Sequence, residues 1–283
     1  MTRRPPYFRK ACNALLGLLS LISIVLAIGC MAWVLCTVCA RGFSVLSADF
    51  LTSPCKPYGE EGAGIGNALV GTLLITGGAA LLAVPPAMAA GIYMAEYGNG
   101  SRWAALLRSA ANIMMGLPSI LIGLFVYVII VVPSGHFSGL AGTVALAVIM
   151  FPIIMRTTED MLNMVPPALR ESALALGMTR MRATLCILTR AAKNGLATGV
   201  LLALARVSGE TAPLLFTAMF AYSSPSGYFR EPTANLPVLI NEYTMNSPFE
   251  SMHAIGWGAA LVISLIILTV NIITRILFRE QSR

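Results

Sequence analysis

The sequence has 283 residues, of which 57% are hydrophobic and 11% charged, with a formal net charge of +7. Soluble domains carry about 25% charged residues, so this composition and a mean hydropathy of +0.79 exclude an ordinary soluble fold and point to a membrane protein. The positive charge does not form a nucleic-acid patch, because it sits in the gaps between apolar runs, as inside-facing loops require.

Met1–Lys10 is basic, and an apolar run from Ala11 to Ala40 follows. A secretory signal has an apolar region of only about 7–15 residues. This run is long enough to cross about 30 Å of hydrocarbon with some tilt, and predicts the first transmembrane helix. Arg41–Gly66 is a polar outside loop. Its Gly62-x-Gly64-x-Gly66 is not a nucleotide loop, since no strand precedes it and no Gly-Lys-Ser/Thr ends it. Asn67–Met94 predicts a second span, kinked at Pro85-Pro86. Glu96–Arg102 reads as an inside turn with Glu96 solvated. The third span runs from Trp103 to Val132 and contains Gly116-Leu117-Pro118. The fourth runs from Leu140 to Ile154, with Arg156, Glu159 and Asp160 marking its exit. A fifth span, Gly195–Tyr222, and a sixth, Ala254–Phe278, flank a polar loop at Ser223–His253.

The expected fold is an all-α membrane protein with six transmembrane helices. It divides into residues 1–66 (tail, first helix and outside loop), a core at 67–278 with an inside loop at about 157–193, and a tail at 279–283. With both termini inside, every Lys and Arg falls inside except Arg41, Lys56, Arg230 and the intramembrane Arg206; this satisfies the positive-inside rule. Of the six cysteines only Cys55 lies in an outside loop, so no disulfide is expected there. Cys36-x-x-Cys39 reads as two small apolar residues in a helix. His136 and His253 lack a ligand cluster, and no metal site is expected.

Pro166 to Thr217 organises the chain. Pro166-Pro167 can open a helix, since proline costs little at the first position. Ala168–Leu176 are mostly good helix formers. Gly177 suits a left-handed cap, and Thr179 can cap a second helix leading into the fifth span. Leu169, Ala173 and Leu176 share one face at helical spacing. An amphipathic helix resting on lipid headgroups accounts for this pattern equally well.

Glu171-Ser-Ala173-x-x-x-Gly177, with Ile187 beyond it, resembles the EAA loop of the membrane subunits of ABC importers. Here Thr189 and Arg190 stand where that pattern often ends in Leu-Pro. Gly91-Ile-Tyr-Met-Ala-Glu96-Tyr-Gly98, Leu117-Pro-Ser-Ile-Leu-Ile-Gly-Leu-Phe125 and Gly209-Glu-Thr-Ala-Pro-Leu-Leu-Phe-Thr217 narrow the resemblance to phosphate-importer permeases of the PstA type, which also tend to lack the Leu-Pro ending. The resemblance covers about Gly66 to Phe278. It implies the type I ABC importer permease fold, with a cytoplasmic coupling helix in which Glu171, Ala173 and Gly177 mark the contact with an ATP-binding subunit. It also implies a second permease of the PstC type, two copies of the ATPase, an extracytoplasmic phosphate-binding protein and a place in the plasma membrane (the inner membrane of a Gram-negative cell). The chain is then a transport subunit and not an enzyme. It binds no cofactor of its own, and ATP-Mg is used by the partner. In agreement, the sequence has no Gly-x-x-x-x-Gly-Lys-Ser/Thr.

Arg206 lies about 16 Å along a helix that starts at Gly195, at about 1.5 Å per residue, close to the bilayer centre. A charge there costs about 2.5–3.5 kcal/mol on insertion scales. Glu210 is one turn further on, and a pair about 4 Å apart gains about 4 kcal/mol at an effective dielectric of 20. Pairing offsets much of the cost without making the charges a net gain. On one continuous helix Gly195, Gly199, Arg206, Glu210, Pro213 and Thr217 fall on one stripe. Pro213 removes the hydrogen bond to the carbonyl of Gly209 and bends the helix beside the charges. The expectation is that Arg206 meets an oxyanion in the pathway through its planar fork. Glu210 would hold Arg206 between substrates, with Ser208, Thr211 and Thr217 nearby. A structural pair locking two helices is the competing account. Other readings are a permease for sulfate or molybdate, an ion-coupled transporter with Glu210 as proton carrier, and a membrane enzyme using Cys36 and Cys39.

Overall fold

The computed structural model describes residues 6–98, 100–222, 228 and 230–277, and among these the chain is helical with no strand. The predicted tails at 1–5 and 279–283, and residues 223–227 and 229 of the predicted outside loop, lie outside the described residues. Helix α1 (Pro6–Gly42) is apolar all round. Its most apolar stretch has no buried residue, and it meets the rest of the chain at its far end, where Gly42 is buried and the Arg41 guanidinium lies over the Trp257 ring at 5.1 Å. Helix α2 (Gly66–Tyr97) runs through Pro85 and Pro86 without ending. It therefore reaches past the predicted limit at Met94 and takes Glu96 into its last turn, where Glu96 is buried and not a solvated turn residue.

The predicted third span is broken. Helix α3 (Arg102–Gly116) and helix α4 (Ser119–Ser134) meet at an angle of 103°. Proline disfavours the helical region for the residue before it, and Leu117 is extended at φ −72, ψ 139. Pro118, lacking an N–H, then stands at the cap of α4. Helix α5 (Gly139–Asn163) starts at Ser138, whose side chain accepts from Ala141 N, and continues beyond the predicted Ile154.

Helix α6 (Pro167–Ala175) opens at Pro166–Pro167. It closes on Gly177 at φ +80, with Met178 N donating to the Ala173 carbonyl at 3.2 Å, the Schellman arrangement. The Thr179 side chain accepts from Arg182 N and starts the helical stretch from Arg180 to Ala191.

Helix α7 (Lys193–Val207) ends in the middle of the predicted fifth span. Ser208–Thr211 is irregular, and a one-turn helix α8 (Ala212–Leu215) resumes with Pro213 in its first turn. The sequence reading assumed one bent helix. Instead Gly209, with no helix propensity to hold it, and Pro213, which suits a helix start, divide the span in two. Helix α9 (Leu236–Asn241) is capped by Asn235, and helix α10 (Glu250–Leu277) is the last helix among the described residues.

Among the described residues four helices are long and apolar enough to cross a membrane, or five if the bent α3–α4 pair is one span. The remaining expected span, the fifth, is the divided α7–α8. The core lies between α2, α5 and α7, around Ile75, Leu146, Met150 and Ala203, all fully buried. A second cluster packs Phe50, Ile65, Leu236 and Tyr243 beneath the 41–66 loop. Tyr243 Oη donates to the Lys56 carbonyl there at 2.8 Å, and Tyr58 donates to Glu242. Cys55 is free and buried, and burial pushes its thiol up to about 12.

Candidate functional site

The two breaks meet. Helix α4 packs on α8, and Gly123 lies so close to Pro213 that a Cβ would come within 2.6 Å of its Cα. Beside this contact is a cavity of about 100 Å³. The end of α3 contributes Met114, Met115 and Leu117, and α4 contributes Ser119 and Ile122. Ile149 and Ile153 of α5 form its wall, and Arg206 and Glu210 close it.

Within α7 the predicted stripe is real. Gly195 and Gly199 face Met161 and Thr157 of α5, and Arg206 follows on the same face toward Ile153 and Ile149. Beyond Val207 the stripe ends with the helix. The expected Arg206–Glu210 ion pair is not formed: among the described residues no carboxylate lies within 4.0 Å of Arg206. The spacing of one turn requires a helix between them, and Ser208–Thr211 is not helical. Arg206 is exposed and Glu210 half-buried, and both line one cavity without pairing.

The neighbouring hydroxyls are placed elsewhere. Ser208 Oγ donates to the Leu204 carbonyl at 2.7 Å, the back-bonding common for hydroxyls in helices, and it lines a separate apolar cavity with Thr72 and Thr76. Thr217 is buried and its hydroxyl donates to the Pro213 carbonyl at 2.7 Å. Thr211 is half-buried at the break and does not line the Arg206 cavity. Sequence reasoning missed the contribution of Ser119 and of Met114–Leu117. The signal was the Gly116-Leu117-Pro118 string, which marks the bend.

On the charged island formed by the loop at 157–193, Glu171 and Gly177 are exposed and Ala173 is buried. Leu169, Ala173 and Leu176 do not share one covered face, since Ala173 is 2% exposed and Leu176 83%. The helix stops at Ala175, and Leu176, at φ −78, ψ 8, has left the helical repeat. Leu174, Leu176 and Met181 form an uncovered apolar surface on the island. No group of three His, Cys, Asp or Glu able to hold a metal is present among the described residues.

Comparison with known proteins agrees with this architecture. Residues 87–283 match the model of the binding-protein-dependent transport system inner membrane component family. The phosphate transport system permease protein PstA of Haemophilus influenzae is 45% identical over 276 residues, covering 98% of this chain and 97% of that protein. The protein of the same name from Yersinia pestis is 39% identical over 280 residues, covering 99% of this chain and 94% of its own length. Among solved structures, a chain of the MetNI methionine ABC transporter in an inward-facing conformation superposes with a TM-score of 0.61 at 19% identity, covering 76% of this chain and 95% of that one. That likeness concerns the fold alone.

Proposed function

The chain belongs to the family of binding-protein-dependent transport system inner membrane components, and from that premise we propose that it is the permease subunit of an ATP-driven importer of inorganic phosphate. It is a multi-pass inner-membrane protein. The family implies an ATPase and a binding protein as partners. In finer detail, the second membrane subunit is a homologous permease of the PstC type, and two ATPase copies use ATP-Mg from the inside, where both termini lie. The island Glu171–Gly177 is the coupling helix; its uncovered Leu174, Leu176 and Met181 suit a cleft in a soluble partner. The phosphate-binding protein docks at the opposite end, on the 41–66 and 223–253 loops. Transport is by alternating access, in which closure of the ATPase pair moves the coupling helix and switches the bundle.

The observation that carries this reading is Arg206. An intramembrane arginine without a carboxylate partner, facing a cavity between two broken helices, is unusual for a structural charge, which pairs. Irregular backbone at membrane depth is tolerated where it lines a water-filled path. The planar guanidinium offers two parallel donors to a phosphate oxygen pair. Glu210, lining the same cavity, opposes the bound anion's charge and so limits how tightly it is held.

The test is phosphate uptake by the whole transporter. Charge-assisted hydrogen bonds are each worth about 1.5–3 kcal/mol. Arg206→Gln is therefore expected to lower uptake about a hundredfold, and Arg206→Lys, which keeps charge but loses the fork, about tenfold. Uptake that survives both changes sinks the pathway role. Excess sulfate or molybdate should leave phosphate uptake unchanged; inhibition by either would move the substrate to another oxyanion. ATP depletion should abolish uptake and an uncoupler should not.

A further inference from the structure

Two carboxylates at one end of the bundle are buried and lie outside the Arg206 cavity. Glu96, in the last turn of α2, is 1% exposed, and Glu159, in α5, is 2% exposed. A buried carboxylate survives only when charges and hydrogen bonds surround it. Glu159 is hydrogen-bonded by two arginines, and Glu96 by one with a second close to its otherwise unbonded oxygen. Arg108 Nε donates to Glu159 at 2.6 Å and Arg156 donates at 2.9 Å. Arg170 donates to Glu96 at 2.7 Å, and Arg180 Nε lies 3.9 Å from its other oxygen. Arg180 also stacks over the Tyr97 ring at 5.0 Å.

Glu96 is badly placed for α2 alone, because the C-terminal end of a helix already carries partial negative charge. Its partners come from the island instead. Arg170 belongs to α6, where Ala173 is the one buried residue, so the Arg170–Glu96 ion pair is what ties that helix to α2. The same turn of α2 is tied to α3: Arg108 donates to the carbonyl of Met94 at 3.2 Å. At its far end α3 supplies Met114 and Leu117 to the Arg206 cavity, next to the 103° bend.

We propose that Glu96 is a positioning residue for energy coupling. Through Arg170 it fixes the coupling helix to α2, and through the Met94 carbonyl and Arg108 that displacement reaches α3 and pivots it at Leu117–Pro118, reshaping the wall that faces Arg206. This rests on the reading that the island meets an ATPase. The linkage is a chain of direct contacts between helices with a hinge at its end, which gives a push at the island a physical route to the cavity.

The experiment uses the complete transporter in proteoliposomes and reads phosphate moved per ATP hydrolysed. Glu96→Gln and Arg170→Gln are each expected to lower that ratio about fivefold or more, with ATP hydrolysis within about twofold of the unsubstituted complex. Because the two residues act through one contact, the double variant should be no worse than the worse single. An unchanged ratio in assembled Glu96→Gln, or losses that multiply in the double variant, overturns the proposal. If Glu96→Gln does not assemble, Arg170→Gln decides, since Arg170 is only half-buried: a lowered ratio supports the linkage and an unchanged one overturns it. If the unsubstituted complex moves no phosphate on ATP, the coupling proposal falls together with the function on which it rests.

Discussion

The end of the bundle that carries Glu96 and Glu159 and the cavity around Arg206 treat charge in opposite ways. At that end Glu96 and Glu159 are each surrounded by two arginines, at distances of 2.6 to 3.9 Å. At the cavity Arg206 shares the lining with Glu210 but has no acid within ion-pair reach. Glu96 and Glu159 are buried, and a buried carboxylate needs opposite charge close by, whereas Arg206 is exposed. The chain pairs its charges where helices must hold together and leaves Arg206 unpaired where an anion is expected to pass.

The comparison can be broken most severely by giving Arg206 a partner. Ile153→Glu places a carboxylate on the cavity wall opposite the guanidinium, and uptake is expected to fall about a hundredfold while the complex still assembles. The pair would have to be separated in every cycle, at about 3 kcal/mol or more. Radiolabelled uptake in vesicles reads this, and near-normal transport would show that Arg206 need not be free. The reverse change removes saturation where it exists. Glu159→Gln leaves Arg108 and Arg156 without their shared acid and should cost about 2–4 kcal/mol, measured as a lowered thermal midpoint in detergent; an unchanged midpoint would mean that the clamp is not structural. A smaller effect is expected from Glu210→Gln, which takes away the opposing charge. Phosphate should then leave more slowly, with maximal uptake reduced about threefold and apparent affinity raised, both read from a concentration series. Smallest of all is Ser208→Ala. Its hydroxyl is committed to the Leu204 carbonyl, so uptake should stay within about twofold, and a tenfold loss would return Ser208 to the pathway.

Much of the architecture was legible because membrane insertion writes it in hydropathy. The long apolar runs became α1, α2, α5 and α10, and the signals at Pro166–Pro167, Gly177 and Thr179 gave the starts and stop of the island helices. The breaks were harder to read. Hydropathy is continuous across Gly195–Tyr222, and a proline in such a run bends some helices and divides others. Pro85 and Pro86 sit inside an unbroken helix, whereas Pro118 and Pro213 stand at new helix starts. What separates them is context: Leu117 takes an extended backbone at one break, and Gly209 weakens the helix at the other. Glu96 was misread for a different reason. Its environment is made by Arg170, far along the chain, and no local pattern announces a partner at that separation. The Arg206–Glu210 pair was inferred from spacing alone, which holds only on an intact helix.

One consequence follows from the position of Pro213. It offers no N–H to the carbonyl of Gly209, which lies in the irregular Ser208–Thr211 stretch between two helices. Gly209 is itself exposed. If an anion passes beside Arg206 as proposed, water on that carbonyl would let it trade part of its hydration shell for protein donors a few molecules at a time, and the break would lower the dehydration barrier as well as shape the chain.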